Sequence, residues 1–301
     1  SWVVVLLGAL AGITSPVLTG GFTGLIAPLV PEPLLSRAYG AESTSYNLAG
    51  VIGPALAAGL AAGFSPEVAV AVTAALSAVA LVAVLRVPMP APLRAPARGL
   101  MRTVAVGFRH LATTPALRSV TVATTVSFMG IGAFPVAFPA LAVEVGSREA
   151  ASGLLFTAFA VGALVGSTIV ATRSPRTGPL RLALLGISGL MVLFTLLAVS
   201  PGLGFAIALL FLAGCSEGPV LASTLALREE HSPAWMRTQV VTTGASLKFA
   251  AYAVGSAVAG QLVDIHGGRA GIWFIASCQL AGVVAGSIAL GWPTLRHRLR
   301  R

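Results

Sequence analysis

Two ionisable side chains lie deep inside apolar stretches, Glu217 within 203–227 and Lys248 within 240–263. A charge held well inside such a stretch costs roughly 3 kcal/mol on insertion scales and faces a protein interior or a watery cavity. Counted from the loop the two stretches share, Glu217 stands about ten residues and Lys248 about eight residues into its helix, or about 15 and 12 Å at 1.5 Å per residue. The two can meet at similar depth on consecutive antiparallel helices. Two readings follow: a static buried ion pair holding two helices together, or a carboxylate that exchanges its proton as its surroundings alternate between two faces.

Other chemistries are weaker. Gly214-Cys215-Ser216-Glu217-Gly218 fits the nucleophile-elbow pattern G-x-S-x-G, but that pattern needs a strand before the serine. A long apolar segment precedes it here, so glycines for helix packing are the better reading and no enzyme is expected. The single lysine follows Leu247, so no Walker A sequence exists for nucleotide hydrolysis. Cys215 and Cys278 show no CxxC spacing and have no histidine at ligand distance, and His110, His231 and His297 sit among basic residues; neither a metal nor a cofactor is implied. Phe134, Phe138 and Met129, with Phe128, either line a substrate path or belong to core and lipid-facing surface. Asn47 and Tyr252 are candidate hydrogen-bonding groups for substrate, or satisfied helix contacts. Pro135 and Pro139 remove two helix donors close together, which predicts a bend.

The elements that must position these residues follow from composition. The 301 residues are 56% hydrophobic and 9% charged, with a mean hydropathy of +0.92, far from the quarter charged of ordinary soluble domains. The formal charge of +10 comes almost wholly from arginines between apolar runs rather than on an aromatic-laced face, so nucleic acid is not the expected partner. A helix crossing about 30 Å of hydrocarbon needs about 20 apolar residues. Nine stretches meet that length, at 3–29, 45–63, 67–87, 120–143, 150–172, 180–200, 203–227, 240–263 and 270–292. The bilayer is therefore a partner, and the fold class is all-α and polytopic.

Basic residues mark cytoplasmic loops. Sixteen of the eighteen arginines fall on alternate loops and the tail, among them Arg37, Arg228 and Arg237, and two, Arg148 and Arg269, fall on the opposite loops. The first span thus runs inward and the C-terminus is cytoplasmic. The sequence also repeats. Pro16-Val17-Leu18 returns as Pro219-Val220-Leu221, Gly53-Pro54-Ala55 answers to Gly255-Ser256-Ala257, and Pro88 answers to Pro293. Same-sense repeats imply two parallel-related halves, and the second copy carries three spans ahead of its proline helix that the first lacks. About three further spans are expected upstream in the complete protein.

Pro31-Glu32-Pro33, Ser36-Arg37-Ala38 and Asn47-Leu48-Ala49-Gly50-Val51-Ile52-Gly53-Pro54, with Arg228, Arg237 and the Gly255/Gly260 helix in the second copy, resemble the major facilitator superfamily, in its bacterial exporter-like branch. The resemblance covers essentially the whole chain. It implies nine of twelve transmembrane helices of a 6+6 fold: 1–88 as the last three helices of the N-terminal bundle, 89–118 as a basic cytoplasmic linker with an amphipathic helix, and 119–301 as the C-terminal six-helix bundle. It further implies a monomeric plasma-membrane protein that exports a small hydrophobic or amphipathic substrate in exchange for protons. Pro16, Gly53, Pro54, Pro135, Pro139 and Pro219 are then kink and gating positions. A non-transporting fragment and an uptake transporter are the alternatives.

Overall fold

The structure, a computed structural model, describes residues 65–86, 100–172 and 177–291 throughout and scattered positions between 22 and 64. Pro16, Asn47, Pro54, Pro88 and Pro293 lie outside the described residues, as does most of the spans placed at 3–29 and 45–63.

Among the described residues nine α-helices are continuous: α1 Pro66–Leu85, α2 Leu100–Thr113, α3 Pro115–Ile131, α4 Phe134–Glu144, α5 Ser152–Thr172, α6 Pro179–Ala198, α7 Leu203–Glu230, α8 Arg237–His266 and α9 Gly268–Leu290. Their starts follow from local chemistry. Ser65 accepts from the Val68 amide and Pro66 opens α1; Pro115 and Pro179 open α3 and α6, where a missing N–H costs nothing. Among the described residues five helices are long and apolar enough to cross a membrane, and α3 with α4 makes a sixth span, bent by 48°. The chain is an all-α, multi-pass membrane protein.

The bend falls at Gly132–Ala133, just ahead of Pro135. The Pro135 ring cannot pass the carbonyl four residues back, so the ladder is interrupted there and restarts from Ala133. Pro139 stays inside α4. Pro219 likewise sits within α7, which runs unbroken for 28 residues. Lacking an N–H, Pro219 frees the Cys215 carbonyl, and a Cβ on Gly166 of α5 would overlap that same oxygen.

From α3 to α9 the segments form one bundle. α3 packs on α9 and α8, α5 on α7, and α6 on α7 and α9. Glycines set the closest approaches. A Cβ at Gly162 would overlap the Phe211 carbonyl, one at Gly214 the Phe159 carbonyl, and one at Gly218 the Ser167 amide. Gly255 of α8 meets the Met129 carbonyl in the same way, and Gly132 meets that of Tyr252. Such backbone contact is how small residues hold membrane helices together. By contrast, Gly53 and Gly260 have nothing within 4 Å of a Cβ position among the described residues.

Each end of the bundle has its own core. At the end away from α2, Phe138, Leu141, Leu155, Phe194, Leu210 and Ile272 are fully buried. There Glu144 accepts from the Gly268 and Arg269 amides, capping α9, while Arg269 donates to the Ala198 and Ser200 carbonyls. Arg269, expected on a loop, joins the ends of α4, α6 and α9. At the other end Leu111 of α2 enters a core with Leu117, Leu227 and Val240. Gly107 lies against Gln239, and the His110 ring is 2.8 Å from the His231 carbonyl. The α2 face that remains exposed carries Val104 and Phe108.

Candidate functional site

Two stripes divide α3. Ser119, Ala123, Ser127 and Gly130 face α9, where Ser119 donates to the Gly286 carbonyl and Ser127 pairs with Gln279. Thr121, Thr125, Phe128 and Gly132 repeat at helical spacing on the opposite side. There the Thr121 and Thr125 hydroxyls are buried without a partner, Phe128 lies beneath the Lys248 ammonium, and Gly132 touches α8.

Lys248 is 7% exposed and its Nζ sits 4.6 Å from the Phe128 ring centroid. Glu217 is half-buried on α7, with Oε2 sealed off and unpartnered. The carboxylate and ammonium interact through space but form no ion pair within 4 Å; the two ion pairs among the described residues are Arg237–Glu229 and Arg269–Glu144. The ammonium is satisfied by an aromatic face instead, a cation–π contact strengthened by desolvation.

A third charge joins them. α7 extends to Glu230 and α8 begins at Arg237, so Arg228, expected on a loop, is in the last turn of α7 and 3% exposed. Its guanidinium occupies the room left by Gly244, where a Cβ would overlap it, and its Nε and Nη2 have no acceptor. Glu217 and Arg228 are eleven residues apart, three helical turns, and so share one face of α7. Gly244 and Lys248 are one turn apart on α8. With the longer helices, Glu217 stands about 20 Å and Lys248 about 17 Å from the ends near α2, still at similar depth.

The other expected site residues are placed elsewhere. Phe134 and Phe138 stack at 4.4 Å, with Phe159 and Phe194 against Phe134 and Phe156 against Phe138, inside the core rather than along a path. Met129 and Tyr252 contribute backbone carbonyls to the α3–α8 crossing. Ser216 sits in mid-helix, its hydroxyl donating to the Leu212 carbonyl, with no strand before it. Sequence reasoning missed Arg228, Thr121 and Thr125. It also missed Glu42, which accepts from Thr23 at 2.5 Å and Tyr46 at 3.4 Å and keeps Oε2 buried and unpartnered. The signal for Arg228 was its spacing of eleven from Glu217.

The family model for the Major Facilitator Superfamily matches residues 1–125 and 120–299. The chain belongs to that superfamily. Among curated relatives, an uncharacterized MFS-type transporter of Sinorhizobium fredii is 28% identical over 271 residues; the match spans 87% of this superfamily member and 65% of the relative. Among solved structures, a bacterial homologue of the human lysosomal transporter Spinster, in an inward-facing and unoccupied conformation, aligns with a TM-score of 0.45 and 18% identity, over 92% of this chain and 73% of that one.

Proposed function

We propose that the protein is a proton-coupled secondary transporter that exports a small amphipathic molecule across the plasma membrane. Two bundles rock about a central cavity, with residues 119–301 as the second bundle, 1–88 contributing to the first and 89–118 joining them on the cytoplasmic side. The observation that carries the reading is Glu217, whose Oε2 is buried without a partner while Lys248, at similar depth, rests on Phe128. A carboxylate clasped by lysine would be a fixed strut. One left free, at a depth of about 20 Å in its helix, can take up a proton from one side and release it to the other as the cavity changes face. The Phe128 ring beside the Lys248 ammonium suits an amphipathic cargo, and the protein acts as a monomer.

The test is efflux from proteoliposomes across a panel of lipophilic dyes, with and without an imposed pH gradient. Glu217→Gln is expected to abolish gradient-driven movement at unchanged protein level. Proton coupling that survives in this variant overturns the assignment.

A further inference from the structure

We infer that the space between α3, α7 and α8 binds an anionic group, a carboxylate or similar oxyanion, carried by the transported molecule. The inference rests on the transporter reading above and narrows its substrate class. Two cations and one acid are gathered here, Arg228, Lys248 and Glu217, and Lys248 interacts electrostatically with both others. The balance is one positive charge, with both cations buried and no ion pair among the three. Arg228 is the deciding residue. It is 3% exposed, and its Nε and Nη2 both lack an acceptor. These two nitrogens lie along one edge of the guanidinium and present parallel N–H donors, the fork that fits the two oxygens of a carboxylate.

The neighbours complete an oxyanion cradle. Gly244 supplies the room in which the guanidinium lies. The Thr121 and Thr125 hydroxyls, buried and unpartnered, stand one turn apart on the α3 stripe that carries Phe128. Each is a donor awaiting an acceptor. A buried guanidinium without a partner is strongly unfavourable unless some state of the protein supplies the missing negative charge. Glu217 acts on Lys248 and not on the guanidinium, which lies three helical turns away, so a bound anion and an ionised Glu217 compete for the Lys248 ammonium. Phe128 offers an apolar surface beside the anionic end, which favours amphipathic acids over compact inorganic ions.

The test uses the 301-residue chain in detergent, its thermal unfolding followed by thiol-dye labelling of the buried Cys278. Acetate, benzoate, citrate and phosphate are the probes, with benzamide and benzylammonium as neutral and cationic controls. Benzoate is expected to raise the melting temperature saturably and the two controls not to. Arg228→Gln is expected to raise the half-saturating benzoate concentration by roughly tenfold or more. The Thr121→Val/Thr125→Val pair, which keeps the charges and the shape, is expected to raise it several-fold and keeps the test open if Arg228→Gln does not fold. Glu217→Gln is expected to lower it. A series in which no anion shifts melting, equal shifts from benzamide, or weaker benzoate binding in Glu217→Gln overturns the inference. Loss of dye efflux with the benzoate response intact counts against the transport reading and leaves the anion site standing.

Discussion

Replacing Gly214 by alanine tests whether the α5–α7 contact is made through backbone. A Cβ there would overlap the Phe159 carbonyl and lie 2.7 Å from the Ala163 amide nitrogen. Neither is a flexible side-chain end, so the helices must part. Carbon contacts are most favourable at about 3.5 Å, which asks for a separation of roughly 1 Å, and a gap of that size forfeits up to half the attraction of each contact. With about forty atom pairs along the interface at about 0.15 kcal/mol each, the loss is on the order of 3 kcal/mol. Gly260 is the internal control. It lies within α8 and has nothing within 4 Å of its Cβ position among the described residues, so Gly260→Ala is expected to gain about 0.5–1 kcal/mol from helix propensity alone. Thermal unfolding in detergent, read by thiol labelling, should therefore place the two variants on opposite sides of the parent. A Gly214→Ala protein that melts with the parent, or a Gly260→Ala protein that falls as far as Gly214→Ala, refutes the reasoning.

Two further outcomes are expected in the same assay. Gln279, fully buried, accepts from the Ser127 hydroxyl at 2.6 Å and donates to the Ser127 carbonyl at 3.2 Å; Gln279→Leu should cost about 1–3 kcal/mol by stranding its partner, and adding Ser127→Ala should restore most of the loss. Glu144→Ala removes the cap on α9 and should cost about 1–2 kcal/mol, whereas an unchanged melting temperature would show that the Gly268 and Arg269 amides need no acceptor.

Much of the fold was legible because lipid imposes one rule, a run of apolar residues long enough to cross, and α1, α5, α6, α7 and α9 obey it visibly. The boundaries were less legible. Counting apolar residues stopped α7 at 227 and began α8 at 240, whereas the helices continue to Glu230 and from Arg237. A polar residue ends an apolar run without ending a helix, and that difference hid Arg228. The proline pair announced a bend, which falls at Gly132–Ala133 just ahead of Pro135; that the Tyr252 carbonyl of α8 would pack against Gly132 is something spacing along one helix does not reveal. Similar depth for Glu217 and Lys248 was readable from helical rise. That the ammonium would choose Phe128 was not, because the preference depends on a ring from a third helix.

The bent span has a consequence for biogenesis. α3 and α4 are read out early, as 17 and 11 residues, yet the amides that tie the tip of α4 belong to Gly268 and Arg269, the first of them 124 residues downstream of Glu144. During vectorial synthesis the span enters the bilayer before those amides exist. The contact between the tip of α4 and the start of α9 is therefore made only after α9 has been synthesised, so truncation ahead of α9 would leave the Glu144 carboxylate without its two amide donors.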